Sequence, residues 1–378
     1  MPLILYLSGI ILAFFFSLLL LSKKDKSQAD YILLAWLCFS GLHILGFFSI
    51  YSKIEGLDPS YRTLGFSLPL VHGPFLYLYT TQHTSSKRFK ANRLLHFLPF
   101  VLSLLLFTRF HFFTLEEKNI VFLNKGKGFE IELYLNQIAI FSSGVIYTVF
   151  SLIKLLKYRK NMLNQFSNTE KINFNWLLYM IFWIMAIWVI VLFIKNEKMI
   201  FAFASMFVLW IGYFGTKQVK VFSQNTNDEY DENLILKSDE KPKNDVFSNS
   251  TYIKYQKSLL AENEANEIHN NLNNLLKNEK PYKNPELTLN QLAQMLDIHP
   301  NHLSQVINSK ENKNFYELIN ERRIIEFIEL SKQPIIQQYT MLALAMDCGF
   351  NSKASFNRNF KNYTGLTPRD FLKQNNSL

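Results

Sequence analysis

Two short stretches of this chain set polar side chains at helical spacing in a way that suits hydrogen bonding to a flat, polar edge. Around 300–308, Leu303, Val306 and Ile307 fall on one side, and Asn301, His302, Ser304, Gln305 and Asn308 fall on the others. From Ser352 onward, Phe356 and Phe360 at i, i+4 mark a buried stripe, which leaves Lys353, Asn357, Arg358 and Lys361 on other faces. Asn and Gln amides pair with adenine edges and the Arg guanidinium with guanine, whereas lysines position a protein on phosphates. A helix face of this composition has the chemistry of duplex DNA recognition. For each of these residues the alternative is plain solvated surface.

The elements that must position those faces are also legible. Leu287–Leu296 reads as a short helix with Leu289, Leu292, Ala293 and Leu296 on one face, followed by a break at Asp297-Ile298-His299. Pro300 suits the first turn of the next helix. A longer helix, 314–331, leads to a second pair: Met341–Met346, a turn at Gly349, where a residue without Cβ is favoured, and a helix capped by Ser352. Each is a short helix, a tight turn and a polar-faced second helix, the pattern of a helix-turn-helix unit. The linking helix of about 18 residues spans roughly 27 Å. That length suits two recognition helices set about 34 Å apart, one turn of B-DNA. Five basic residues (Lys353, Arg358, Lys361, Arg369, Lys373) and one acid (Asp370) lie between 352 and 373, a local positive patch fit for phosphate. Arg322 and Arg323 on the linking helix either contact phosphate or, for Arg322, pair with Glu326 at i, i+4. His299 and His302 flank Pro300 without a cysteine or carboxylate at metal spacing, so neither a metal nor a cofactor is expected.

Residues 287–373 resemble the tandem helix-turn-helix domain of AraC/XylS-type transcription regulators. The matching residues are Leu289-x-x-Leu292-Ala293, Leu303-Ser304-Gln305-Val306, Asn320-x-x-Arg323, Ala345-x-x-Cys348-Gly349-Phe350, Ser355-Phe356-x-Arg358-x-Phe360-Lys361 and Gly365-x-Thr367-Pro368. The resemblance covers about a quarter of the chain. It implies sequence-specific promoter binding and control of initiation through RNA polymerase. One departure is His299, where the family more often has Ser or another capping hydroxyl, and this puts the cap of that helix in question. The apolar half resembles, more loosely, the multi-span regions fused to this domain in some membrane-bound regulators, through Leu68-Pro69, Gly73-Pro74-Phe75-Leu76-Tyr77 and His96-Phe97-Leu98-Pro99-Phe100.

Charge divides the chain sharply. Residues 1–216 hold 20 Lys+Arg against 10 Asp+Glu, while 217–378 hold 20 of each, so the whole +10 net charge lies on the apolar half. Overall basicity therefore says nothing about DNA here. Seven apolar segments can be drawn: 3–21, 31–51, 64–83, 94–113, 133–156, 176–194 and 200–217. Each is long enough to cross a hydrocarbon core of about 30 Å. Tyr31, Tyr51, Trp176 and Tyr213 stand near segment ends, as in interfacial belts. Lysines follow the first segment rather than precede it, and no small-residue cleavage site ends it, so it reads as an uncleaved span. Loops 22–30, 84–93 and 154–175 carry twelve Lys+Arg, and the alternate loops 52–63, 114–132 and 195–199 carry seven. That bias places the N-terminus outside and the C-terminus in the cytoplasm of a bacterial inner membrane.

The outer loops are too short for a folded sensor, so a signal would bind between helices or through a partner protein. His43, His72 and Arg109 are the ionisable candidates inside the spans, with His72-Gly73-Pro74 interrupting the third helix. Snorkelling of Arg109 and ordinary interhelical hydrogen bonds of the histidines are the alternatives. Cys38 and Cys348 read as buried apolar residues and not as a disulfide framework. Residues 223–250 are polar and poor in apolar side chains, a flexible tether with a reach of roughly 30 Å.

The expected architecture is all-α. It comprises a seven-span domain at 1–220, a linker at 221–250, a helical lead-in at 251–286 and a DNA-binding domain at 287–378 with two helix-turn-helix units joined by a long helix. The partners implied are promoter DNA, RNA polymerase, the bilayer, a small-molecule or membrane-protein signal, and a second copy of the chain. A competing reading is a membrane receptor or transporter whose tail docks a protein. Its weakness is that such docking needs no basic, polar recognition face. Enzyme readings lack a phosphate loop, a nucleophile elbow or a kinase context, and a retinal receptor would need a lysine inside the last span.

Overall fold

The structure, a computed structural model, describes residues 2–51, 65–85, 90–169, 175–194, 196–217, 262–333 and 340–375. The linker expected at 221–250 and the start of the lead-in, 251–261, lie outside the described residues. Every named element is helical, and the β contact recorded among the described residues is a bridge between Phe166 and Thr288. The chain divides into two units, Met1–Tyr158 with Phe174–Val221, and Arg159–Asn173 with Phe222–Leu378. The division differs from the expected boundary near 220 in one respect: the short segment Arg159–Asn173 belongs with the C-terminal residues.

The first unit contains α1 (Pro2–Ser22), α2 (Gln28–Tyr51), α3 (Pro69–His83), α4 (Leu98–Leu106), α5 (Thr108–His111), α6 (Leu115–Leu123), most of α7 (Glu130–Gln165), α8 (Asn175–Val189) and α9 (Glu197–Lys217). Among the described residues, five helices are long and apolar enough to cross a membrane: Leu3–Ser22, Gln28–Ser49, Glu130–Gln165, Asn175–Ile194 and Glu197–Gly215. The expected segments 64–83 and 94–113 are shorter or broken. α3 has 15 residues, and 94–113 splits into the 3-10 turn Ala91–Phe97, α4 and α5. The break lets Phe107 and Phe110 fold onto Phe129 in a small aromatic core. α3 is not interrupted at His72-Gly73-Pro74; it runs through Pro74. A Cβ at Gly73 would lie 2.9 Å from Tyr147 Cδ2, so the glycine serves a close approach of α3 and α7. The loop expected at 154–175 is also largely helix, since α7 continues to Gln165. No Gly or Pro follows Gly144 in that helix to stop it.

α1 illustrates how much apolar surface this unit leaves exposed. Tyr6, Ile10, Ala13 and Leu20 are buried against its neighbours, while Leu3, Ile4, Leu7, Ile11 and Leu18 are exposed. α7 likewise exposes Val149, Phe150, Ile153 and Leu156. Apolar faces of this extent are a liability in water and suit contact with lipid.

The second unit builds two adjacent cores on one helix. Its elements are α10 (Glu262–Asn278), the turn Pro281–Lys283, α11 (Leu289–Met295), α12 (Pro300–Val306), a π turn Ile307–Glu311, α13 (Phe315–Ser331), α14 (Met341–Asp347), α15 (Lys353–Thr364) and α16 (Pro368–Asn375). The N-terminal half of α13 contributes Phe315, Leu318 and Ile319 to a core with Leu272, Leu276, Leu292, Leu303 and Val306. Its C-terminal half contributes Ile324 and Phe327 to a second core with Leu344, Cys348, Phe350, Phe356 and Phe360. Asn314 and Glu317 close a capping box at the start of α13 with two 2.9 Å bonds. The lead-in helix α10 joins the first core through Ala265, Ile268, Leu272 and Leu276, so it is part of the fold that holds α11 and α12.

Candidate functional site

α11 begins at Thr288, whose hydroxyl accepts from Gln291 N–H at 3.2 Å while the Gln291 amide oxygen accepts from Thr288 N–H at 3.0 Å. The turn that follows places Asp297 at φ +52°. α12 then starts on Pro300 with His299 as its cap: imidazole Nδ1 accepts from Asn301 N–H at 3.2 Å. The unusual cap residue therefore does the work of the hydroxyl it replaces. Leu303, Val306 and Ile307 are buried. Asn301, His302 and Asn308 are exposed, and Ser304 and Gln305 are half-buried. Asn301, Gln305 and Asn308 lie along one stripe of the helix, at i, i+4 and i+7.

The second pair turns at Cys348-Gly349. Gly349 has φ +98°, and a Cβ there would run into the Tyr282 carbonyl oxygen and lie 2.9 Å from Arg323 Nε. Both the backbone angle and the close approach require glycine. Ser352 caps α15, accepting from Ser355 N–H at 3.0 Å, which makes it a structural cap on a half-buried residue. Phe356 and Phe360 are buried and pack against Phe327, tilted at 4.7 Å and edge-to-face at 5.7 Å between ring centroids. Lys353, Asn357, Arg358 and Lys361 are exposed. Lys353, Asn357 and Lys361 share one stripe at i, i+4 and i+8, and Arg358 lies beside it, its guanidinium donating to Tyr316 Oη at 3.0 Å. These residues, with Thr367 and Arg369, line a cleft of about 510 Å³. Four cationic side chains around one cleft can hold a phosphodiester, and the amide and guanidinium above it can meet base edges. Arg369 was expected in the positive patch at 352–373, whereas Tyr316, which α13 brings beside Arg358, left no sign in the sequence.

Arg323 does not contact solvent and cannot serve a phosphate. It is 1% exposed, and it donates from Nε to Tyr282 O at 2.7 Å and from one terminal nitrogen to Asn284 O at 2.8 Å. Burial pulls its pKa down to about 10, which still leaves it cationic at neutral pH. Nor does Arg322 pair with Glu326; it donates to Asn273 Oδ1 at 2.9 Å. Glu326 points the other way, to Lys280 at 2.7 Å, Lys283 at 2.9 Å and Tyr282 Oη at 3.1 Å. Burial pushes the Glu326 carboxyl up, but these three donors outweigh it and hold its pKa below the ordinary value. Burial raises the Cys348 thiol to about 12, which makes it an inert core residue.

Within the first unit, His43 and His72 belong to one hydrogen-bonded chain. Trp36 Nε1–H donates to His72 Nδ1 at 3.1 Å, so a neutral His72 carries its proton on Nε2 and donates to His43 Nδ1 at 2.9 Å. The two rings stack at 5.2 Å and border a cavity of about 430 Å³ whose walls include Phe47, Trp188, Phe201 and Phe207. Arg109 is not among the cavity's lining residues; it lies over the rings of Phe113 and Phe129 at 5.7 and 5.1 Å.

Residues 292–374 match the family model of the helix-turn-helix domain, of the type found in AraC regulators. The match spans α11 to α16 and less than a quarter of the chain. This domain type binds DNA and is not an enzyme family. Neither the curated proteins nor the solved structures contain a match to the chain.

Proposed function

We propose that the chain is a membrane-anchored transcription regulator that binds promoter DNA through α12 and α15 and takes its input from the membrane unit. The observation that carries this reading is the conjunction of a matched helix-turn-helix domain with five apolar, membrane-length helices in one polypeptide. In α12 the base-reading set is Asn301, His302, Ser304 and Gln305, and in α15 it is Asn357 and Arg358. Lys353, Lys361 and Arg369 settle on phosphates, and Ser352 offers its backbone at the helix N-terminus. Either five or seven crossings leave the two termini on opposite sides; the loop-charge argument for a cytoplasmic C-terminus uses the seven-crossing arrangement, in which loops 22–30, 84–93 and 154–175 share one side. The His43–His72 chain and its cavity offer a place for a small apolar signal. RNA polymerase is the downstream partner.

The test is a binding titration with the full-length chain in nanodiscs and DNA selected from random sequence. The reading predicts a recovered consensus, and affinity that falls by roughly a thousandfold or more between about 50 and 200 mM salt. Enrichment of no sequence over random DNA would overturn it.

A further inference from the structure

Arg323 and Asn320 present hydrogen-bond donors to a segment far away in sequence. The carbonyl of Ser167 accepts from Asn320 Nδ2 at 3.0 Å and from Arg323 at 3.4 Å, and Ser167 Oγ accepts from Arg323 at 3.1 Å. In return, Ser167 donates its N–H and its hydroxyl to Leu287 O, at 3.2 and 2.7 Å. Phe166 forms an antiparallel bridge with Thr288, the cap of α11. Ser167 is 1% exposed and Arg323 is 1% exposed, so these contacts form inside the C-terminal unit. Yet Ser167 stands two residues after the end of α7, most of which belongs to the other unit, and eight before the start of α8, which lies wholly in it.

We propose that residues 166–168 are an intramolecular docking peptide for the DNA-reading unit, with Leu287, Asn320 and Arg323 as its receptor. Docking completes the hydrogen bonding of a buried guanidinium that also holds the carbonyls of Tyr282 and Asn284. Arg323 sits at the junction of the two helix pairs: its Nε is beside the Gly349 turn, and its guanidinium lies 5.8 Å from the centre of the Phe350 ring. Undocking takes away the two Ser167 acceptors and leaves this buried cation only Tyr282 O, Asn284 O and Asn320 Oδ1, an under-satisfied state that is unfavourable and loosens the junction that fixes α12 relative to α15. The last turn of α7 runs into Phe166 without an intervening loop, so any rotation or shift of that helix acts on the docked residues directly. The reader is thus controlled by occupancy of this site. The docking stands on its own geometry, whereas its effect on DNA rests on the regulator reading above.

The test uses the full-length protein in native membranes with Phe166→Cys and Thr288→Cys together. Facing residues of an antiparallel bridge have Cα atoms about 4.5–5.5 Å apart, within the range of about 4.4–6.8 Å that a disulfide accepts. Docking predicts a cross-link in most molecules, reversed by reductant and absent from each single variant. Adding Ser167→Arg, which sets a like charge against Arg323, is expected to cut cross-linking at least tenfold and to weaken binding to the selected DNA site several-fold. Ser167→Ala, which keeps the carbonyl, is expected to fall between. A membrane-inserted, folded protein whose paired cysteines never cross-link overturns the docking. Loss of cross-linking in Ser167→Arg with unchanged DNA affinity overturns the coupling. A chain that cross-links but selects no DNA sequence overturns the regulator reading and leaves the docking standing.

Discussion

Gly349→Ala tests whether the second helix pair is held together as described. The residue sits at φ +98° with the Tyr282 carbonyl oxygen where a Cβ would go. Forcing a side chain into a left-handed backbone costs about 1–2 kcal/mol, and pressing a methyl group into filled space, here against backbone, costs about 1–3 kcal/mol. The sum is about 3 kcal/mol. Gly365 offers the internal control: it has φ +78° but no atom within 4 Å of a built Cβ among the described residues. Gly365→Ala should therefore cost only the conformational part, about 1 kcal/mol. Hydrogen exchange on the full-length chain in detergent reads both, through amides of α14 and α15 whose opening tracks the stability of this region. At 1.4 kcal/mol per factor of ten, protection should fall roughly 150-fold for Gly349→Ala and about fivefold for Gly365→Ala. Equal losses for the two variants, or less than a threefold loss at Gly349, would refute the close-approach argument.

Three further outcomes are expected. His299→Ala removes the cap of α12 and should destabilise that helix by about 0.5–1 kcal/mol, whereas His299→Ser restores an acceptor and should be near neutral; exchange at Asn301 and His302 amides distinguishes them. The depressed Glu326 carboxyl adds stability that is present above its ordinary pKa of 4.5 and lost as the pH falls through the lower folded value. Glu326→Gln should flatten that acid limb and lower the denaturation midpoint at neutral pH, equivalent to about 1–2 kcal/mol, as an acid titration of unfolding would show. Arg358→Ala should cost roughly 1–3 kcal/mol on the selected site and relax preference at one base, whereas Lys361→Ala should weaken all sequences alike and reduce the salt slope by about one; parallel titrations on selected and random DNA separate the two.

Residue spacing alone made much of the C-terminal unit legible, because Pro300, Gly349, Ser352 and the Phe356/Phe360 pair each impose a local geometry that survives tertiary packing. Arg323 was misplaced for a physical reason. Its neighbours are carbonyl oxygens of Tyr282, Asn284 and Ser167, and backbone acceptors leave no trace in side-chain identity. The same holds for Glu326, whose lysine partners lie more than forty residues away in sequence. The cap at His299 looked like a defect because imidazole is a rarer acceptor than a hydroxyl, although Nδ1 reaches the same N–H. In the apolar half, hydropathy located the long helices, but it could not see that Phe107 and Phe110 would break a segment to reach Phe129, or that α7 would run on past its apolar stretch to Gln165. Helix continuity depends on the absence of stop signals, and apolarity does not report it.

The central claim is that a chain retained in the membrane reads DNA. The most direct measurement is to cross-link cells carrying the tagged full-length protein, wash the membranes free of soluble protein, and sequence the DNA that remains attached. The account predicts a small set of promoter sites sharing a motif, lost when Arg358 and Asn357 are both replaced by alanine. Recovery of DNA no different from that of untagged membranes, with the protein intact and inserted, would contradict it.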